Sequence, residues 1–488
     1  MGTGMAASVK LPERISTGSA GLDEILCGGL LARRGYLLRG GPGLGKTTLG
    51  LTFLSSGADN ESALFIGFQE PEDELRANAY SVGIDTSGIH FLSLAATEEF
   101  FTEAEAYDVF AASDVEQTPM VNAVLEAVEE HRPTRVFVDS LTQLRFLTAD
   151  LAQFRKQVTS FLRFLAQRGA TVVFTSESTT EVPDDDLQFL ADGIIELAWG
   201  PTSATLAIKK FRGSGFRRGR HPYRVDGNGF GIFSQTLPPP QEVVDAAPDQ
   251  FASGNPELDA MLHGGIEAGT VTLLTGPTGI GKSTLAGMFA AQAARAGRRA
   301  AVYQFEEELN GWLIRLRTLG VEVDEPRHAG QLILEQVEPL RYFAEEFADV
   351  VRSQVETYKL QLVVIDSIAG FSMALGAEHE ANRPLHALVK TLTRLGVAVI
   401  LINENRAIVE AAQITESQVS YIADNVIYLR YHESGAVMEK TLGILKKRLS
   451  GFDSCQRRFE VAPGGIHISD LQEAPSVGND SDGAGAPG

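Results

Sequence analysis

Gly40-Gly41-Pro42-Gly43-Leu44-Gly45-Lys46-Thr47 and Gly276-Pro277-Thr278-Gly279-Ile280-Gly281-Lys282-Ser283 are two versions of one motif carried by one chain. Both read glycine, four residues, glycine, lysine, then threonine or serine, the pattern of a phosphate-cradling loop. Each follows a short apolar run, Tyr36-Leu37-Leu38 or Val271-Thr272-Leu273-Leu274, that reads as a strand. Each precedes an unbroken apolar stretch that reads as a helix. The order has a physical reason. Glycines let backbone N–H groups turn inward onto phosphate oxygens, and the following helix presents its positive end to them. The candidate nucleotide-binding residues are Gly41, Gly43, Gly45, Lys46, Thr47 and Thr48, and then Gly276, Thr278, Gly279, Gly281, Lys282, Ser283 and Thr284. Lys46 and Lys282 would reach the β- and γ-phosphates of ATP, and Thr47 and Ser283 would ligate Mg²⁺.

The repetition extends outward from the loops. Thr17-Gly18, Leu22-Asp23 and Gly28-Gly29 recur as Ser253-Gly254, Leu258-Asp259 and Gly264-Gly265 at the same spacing that separates Lys46 from Lys282. The chain therefore reads as two copies of one unit. Residues 1–236 form the first copy, and Pro238, Pro239 and Pro240 mark an extended linker over 237–248. The second copy runs over 249–469, and the Gly/Ser/Asp/Pro-rich end, 470–488, is expected to be disordered.

Bulk composition narrows the class. At 488 residues the chain is too long for one core. Its 44% hydrophobic and 22% charged content is that of a soluble globular protein. Two cysteines, Cys27 and Cys455, exclude a disulfide scaffold or a cysteine-based zinc site and fit a cytoplasmic setting. No apolar run approaches the ~20 residues needed to span a bilayer. The net charge of −21 opposes nonspecific attraction to nucleic acid or anionic membrane, although Arg212 to Arg220 is locally basic.

Within each copy, β-branched runs alternate with helical patterns. Val136-Phe137-Val138, Thr171-Val172-Val173-Phe174, Val363-Val364-Ile365 and Val397 to Ile402 read as buried parallel strands. Leu151 to Gln167 has helical spacing at Phe154, Val158, Phe161, Leu162 and Leu165. This predicts an α/β fold, two tandem P-loop NTPase domains, each with a mostly parallel central sheet flanked by helices. Ligands in such sheets sit at the carboxyl ends of the strands.

Several acidic residues fall at those ends. Asp139 and Asp366, each followed by serine, are candidate Mg²⁺ ligands. Phe305-Glu306-Glu307 supplies carboxylates able to deprotonate an attacking hydroxyl or water, and Glu306 and Glu307 are candidate bases. The first copy reads Phe68-Gln69-Glu70. Gln69 can orient water but cannot take its proton, so the first copy is expected to bind ATP and to hydrolyse it more slowly, with Glu70 one position along. Ser176-Glu177 and Asn403-Glu404 either sense the γ-phosphate or cap a turn. Late in each copy come Lys209-Lys210-Phe211-Arg212 and Lys446-Lys447-Arg448. Lys210, Arg212, Lys446 and Arg448 are candidate cationic fingers that reach a neighbouring subunit's γ-phosphate, with a solvated basic strand as the alternative.

Taken together, the tandem loops, the Ser/Thr-Gly…Leu-Asp…Gly-Gly lead-in, the Phe-Glu-Glu pair, the Asp-Ser strand end and the Lys-x-Arg cluster resemble the KaiC family of circadian-clock-type RecA-like ATPases and autokinases, over about Ile15 to Asp470. The resemblance implies two RecA-like domains in a two-tiered homohexamer, with ATP between subunits and the second tier phosphorylating itself. Ser420 falls on the family's phosphoserine and Thr415 on an accessory threonine, whereas Tyr421 replaces the phosphothreonine. A single-site Ser420 kinase and a chain without autokinase activity both stay open. The resemblance makes KaiB-like or two-component signalling proteins candidate partners. The short polar end has no counterpart of the KaiA-binding tail, which argues against KaiA. Two further readings remain: a RecA/RadA-type DNA-dependent ATPase, disfavoured by the acidic charge and by missing zinc cysteines, and a nucleotide-gated assembly scaffold with little turnover.

Overall fold

A computed structural model describes residues 12–57, 61–94, 112–146, 151–177, 184–200, 203–234, 238–240, 248–373, 382–404, 421–434, 437–462 and 465–471. The chain divides into two compact units, Met1–Ser234 and Gln235–Gly488.

In the first unit a small antiparallel pair, β1 (Arg14–Ile15) and β2 (Leu30–Leu31), precedes the main sheet. The sheet consists of β3 (Gly35–Arg39), β4 (Ala63–Gly67), β5 (Ile89–Ser93), β6 (Arg135–Asp139), β7 (Thr171–Ser176), β8 (Gly193–Trp199), β9 (Ala204–Phe211), β10 (His221–Asp226) and β11 (Gly229–Ile232), in the order β11-β10-β9-β8-β3-β7-β6-β4-β5. Pairings from β8 through β5 are parallel, and those from β8 outward to β11 are antiparallel. Strands flanked by helices on both faces run nearly continuously apolar, and β4 and β7 are buried at every position, the polar residues of β7 (Thr171, Thr175 and Ser176) falling at its two ends. The helix Leu151–Gln167 has the bounds its spacing predicts, with Phe154, Val158 and Leu165 buried.

The second unit repeats this plan. β12 (Gln250–Phe251) and β13 (Ile266–Glu267) form the small pair. The sheet strands are β14 (Val271–Gly276), β15 (Ala300–Gln304), β16 (Leu332–Gln336), β17 (Leu362–Asp366), β18 (Ala398–Glu404), β19 (Asn425–Ser434), β20 (Val437–Lys447), β21 (Arg457–Ala462) and β22 (Gly465–Asp470). Their order, β16-β15-β17-β18-β14-β19-β20-β21-β22, is that of the first sheet strand for strand.

The repeated lead-in has a structural cause in both units. Asp23 Oδ1 accepts from the Thr17 amide and hydroxyl, both at 2.7 Å, and Asp259 Oδ1 accepts from Ser253 at 2.6 and 2.8 Å. Gly29 and Gly265 have φ of +95° and +133°, and a Cβ there would press to 2.3 and 2.2 Å from the Ile15 and Phe251 carbonyl oxygens. Any side chain at either position would break the small β pair.

The units differ in one buried cluster. The first packs Leu31, Tyr36 and Phe211, with the two rings 5.7 Å apart. At the equivalent places the second has Glu267, Thr272 and Lys447. Lys447 Nζ lies 2.8 Å from Glu267 Oε1, with both side chains buried, 0% and 2% exposed. Burial raises the Glu267 pKa, but hydrogen bonds from Lys447 and Ser450 outweigh it and hold the carboxyl below its ordinary value. The sign follows: stability from Glu267 is complete above its unfolded pKa and is lost as pH falls through the lower folded value. Lys447→Ala is therefore expected to destabilise the second unit by about 3–5 kcal/mol, because it strands a buried carboxylate. Glu267→Leu/Lys447→Phe, which installs the first unit's residues at two of the three places, is expected to recover part of that stability and to flatten its acid dependence. Denaturant titrations at pH 7 and pH 4 check both.

Candidate active site

Each phosphate loop connects the central strand, β3 or β14, to a helix, Lys46–Ser55 or Lys282–Arg295, that begins at the motif lysine. Gly43 and Gly279 share φ +73°, and a Cβ on either would meet nothing within 4 Å, so that side of each loop is open. Gly45 and Gly281 are confined instead, since a Cβ would stand 3.2 Å from Phe230 or 3.0 Å from Phe459. The glycines of one motif thus serve two purposes, an open backbone cradle and close packing beneath it.

The lysines fold onto their own loops. Lys46 Nζ donates to the Gly40 and Gly41 carbonyls at 2.9 Å, and Lys282 Nζ to Gly276 at 2.9 Å and Pro277 at 2.8 Å. Burial lowers both ammonium pKa values; Asp139 and Glu177 oppose this at Lys46, and Glu404, Asp366 and Glu306 at Lys282. Glu404, at the end of β18, accepts from Thr278 Oγ1 at 3.1 Å and lies 3.9 Å from Lys282. It belongs to the loop's surroundings, as does Glu177 at the end of β7.

The strand-end aspartates face the loop hydroxyls. Thr47 Oγ1 donates to Asp139 Oδ2 at 2.6 Å, and Thr175 Oγ1 holds the other carboxylate oxygen. In the second unit Ser283 and Gln304 hydrogen-bond Asp366, the latter at 2.9 Å. Burial pushes the Asp366 carboxyl above its ordinary range, the two hydrogen bonds oppose that, and the charges of Glu306 and Glu307 add to it. Thr175 and Gln304 carry no motif, and the sequence offers no sign of them.

Backbone geometry aligns the acidic stretches of the two copies. The Phe68 amide donates to the Asp139 carbonyl at 3.1 Å, and the Phe305 amide to the Asp366 carbonyl at 2.8 Å. Gln69 therefore stands where Glu306 stands, and Glu70 where Glu307 stands. Their surroundings differ. Ser367 Oγ donates to Glu306 Oε1, which orients that carboxylate beside Asp366. Arg315, on the helix Leu309–Thr318, grips Glu307 with both terminal nitrogens, each at 2.7 Å. A bidentate guanidinium satisfies both oxygens and fixes the carboxylate. In the first copy Gln69 Nε2 donates to Glu177 Oε1 at 3.2 Å instead. Ser140, the counterpart of Ser367, is 2% exposed, and among the described residues its hydroxyl has no hydrogen-bond partner. Glu70 has a raised pKa from burial, then from the charges of Asp139 and Glu74.

The basic clusters are not brought to their own phosphate loops. Lys447 pairs with Asn425 at the start of β19, which lies beside Thr272 on β14. Gly276 is four residues further along β14, roughly 13 Å at ~3.3 Å per residue, so Lys446 and Arg448 sit at the opposite end of the strands from the loop. Lys446 Nζ donates to the Ala423 carbonyl at 2.5 Å, and the half-exposed Arg448 lies 3.1 Å from Asp424 Oδ1. Lys210 likewise donates to the Gln188 and Phe189 carbonyls at 2.9 and 3.3 Å, and Arg212 is exposed. In the Arg212–Arg220 loop, Arg217 pairs with Glu24 at 2.8 Å and Arg220 approaches Glu196 at 3.9 Å. Ser420 and Thr415 lie outside the described residues, whereas Tyr421 is described, 59% exposed, with its ring 6.0 Å from His386.

Comparison with known proteins adds the family. A family model for the KaiC ATPase matches the chain twice, over residues 15–236 and 251–473. The circadian clock oscillator protein KaiC of Parasynechococcus marenigrum is 25% identical over 469 residues, spanning 94% of this chain and 90% of that protein. KaiC 1 of Synechocystis is 27% identical, over 94% and 89% of the two chains. KaiC of Synechococcus elongatus is 26% identical, over 92% and 88%. Two matches that each enclose a phosphate loop and its strand-end aspartate place this chain in the KaiC ATPase family.

Proposed function

We propose that this KaiC-family ATPase hydrolyses ATP in both copies at unequal rates and that its second copy also transfers the γ-phosphate to its own Ser420. The observation that carries the reading is the contrast between Glu306, oriented by Ser367, and Gln69, turned to Glu177. In the transfer, the hydroxyl oxygen of Ser420 or of water bonds to the γ-phosphorus. The bond from that phosphorus to the β,γ-bridging oxygen breaks, ADP leaves, and the attacking proton passes to the Glu306 carboxylate. Glu307, held by Arg315, shapes the field around that base rather than taking the proton.

The hydroxyl–carboxylate pairs Thr47–Asp139 and Ser283–Asp366 suit a hard cation such as Mg²⁺, whose remaining ligands are phosphate oxygens and water. Among the described residues no three His, Cys, Asp or Glu side chains cluster to hold a metal alone, in keeping with that division. When bound, Mg²⁺ would neutralise charge that develops on the phosphates.

The position of Lys446 and Arg448, across the sheet from their own loop, supports a ring in which each chain serves its neighbour's nucleotide. We infer a homo-oligomer, a hexamer by family likeness, that signals through nucleotide and phosphorylation state. KaiB-like or two-component proteins are its candidate readers, and the cytoplasm its setting. Among the described residues no helix is long and apolar enough to cross a membrane. The ion pairs of Arg217 and Arg220 and the net charge of −21 weigh against the DNA-dependent reading.

Arg448→Ala is expected to lower second-copy turnover by about a hundredfold while leaving nucleotide affinity nearly unchanged; affinity lost in parallel would assign the residue to ground-state binding. The test of the function itself is intact and peptide mass spectrometry after incubation with Mg-ATP, with Glu306→Gln alongside. Phosphate on Ser420 or Thr415 that the variant lacks supports the autokinase. ADP formation without phosphate on either residue leaves an ATPase alone.

A further inference from the structure

The two units hold the strand end that carries their basic cluster by different means. In the first, Arg34 Nη1 donates to the Arg212 carbonyl at 2.6 Å and so ties the cluster's backbone from outside, above the apolar Leu31–Phe211 packing. In the second, residue 34 is matched by Thr270, and the tie runs from inside. Lys447, between Lys446 and Arg448, turns inward. Its ammonium is 2.8 Å from Glu267 Oε1 and donates to the Leu262 carbonyl and to Ser450 Oγ. Ser450 in turn donates to Glu267 at 2.7 Å. Asn425, Lys447's partner on β19, extends the network through Nδ2 to Thr270 at 3.2 Å and Thr272 at 3.1 Å. Thr272 lies on β14, the strand that leads into the phosphate loop.

We propose that this buried Lys447–Glu267–Ser450 lock is a positioning element for Lys446 and Arg448. It fixes the end of β20 so that the two flanking cations project at a defined place on the subunit edge. The proposal rests on the reading that those cations reach a neighbour's nucleotide. Alternation along the strand makes the device work, because a side chain buried at 447 leaves the peptides of 446 and 448 no freedom to swing. A charged anchor also has several fixed partners, where an apolar one has only contact, so packing alone would hold the segment more loosely.

The experiment separates packing from positioning. Glu267→Leu/Lys447→Phe gives positions 267 and 447 the apolar side chains of the first unit's Leu31 and Phe211, with Thr272 kept where that unit has Tyr36, but removes every tie to Leu262 and Ser450 without supplying an Arg34. Turnover of the second copy is read from the full chain, after subtracting that of the Lys282→Ala chain. The double variant is expected to bind nucleotide with unchanged KM and to lose kcat by roughly tenfold to a hundredfold, the effect of a misplaced group. Ser450→Ala, a milder change, is expected to lose severalfold. Mixing the double variant with Lys282→Ala chains is expected to raise turnover above the sum of the two, because intact clusters then serve intact loops; a general folding defect would show no such gain. Wild-type kcat in the double variant and in Ser450→Ala, with Arg448→Ala impaired, would overturn the lock. Wild-type kcat in Arg448→Ala would instead overturn the reading on which it rests.

Discussion

Glu306→Gln is expected to cut second-copy turnover by roughly a hundredfold to ten-thousandfold, the usual contribution of a positioned general base, while nucleotide affinity stays near wild type. Glutamine keeps the shape of the side chain and can still meet Ser367, so the packing around Phe305 and Phe371 should not change. Only the capacity to take a proton is removed. Glu307→Gln should cost much less, about tenfold at most, since Glu307 is committed to Arg315 through both oxygens. The pair reads alike in sequence and is made unlike by its partners. Equal losses in the two variants, measured as phosphate release at saturating ATP, would reject the assignment of Glu306 as the base. The raised pKa of Asp366, caused first by burial, adds a pH consequence. A proton on Asp366 competes with the cation, so the Mg²⁺ needed for half-maximal turnover should rise as pH falls, and sooner than an ordinary carboxylate would give.

The second large effect runs in the opposite direction. Gln69→Glu is expected to raise first-copy turnover at least tenfold, measured in a Lys282→Ala chain so that the second copy is silent. The Ser140 hydroxyl is buried without a partner among the described residues, one residue after Asp139 and in the place from which Ser367 reaches Glu306. A carboxylate at 69 would be repelled by Glu177, its present neighbour, and drawn to that hydroxyl. The first copy would then hold a base where the second holds one. Unchanged turnover would mean that Glu70, one position along and with its carboxyl pushed up by burial, already does this work.

Sequence alone determined a good deal. The two phosphate loops, the strands before them, the aspartates at 139 and 366 and the helix Leu151–Gln167 were all legible, because each is a local pattern. Periodicity reports which face is buried, and a glycine-rich loop between strand and helix has few other uses. The lead-in repeat was legible too, although its causes appear only in three dimensions: an aspartate that grips Thr17 or Ser253, and a glycine at 29 or 265 where a Cβ would strike a carbonyl. The tertiary structure decided what depends on partners distant along the chain. Arg315, Gln304 and Thr175 tune the acidic residues through contacts that leave no spacing to read. It decided that Lys446 and Arg448 stand across the sheet from their own loop, which follows from β19 running parallel to β14. It also decided that Lys447, one of three consecutive basic residues, is buried against Glu267. A strand end alternates its side chains between solvent and core, and a run of like charges does not say which member turns inward until the opposite charge waiting there is known.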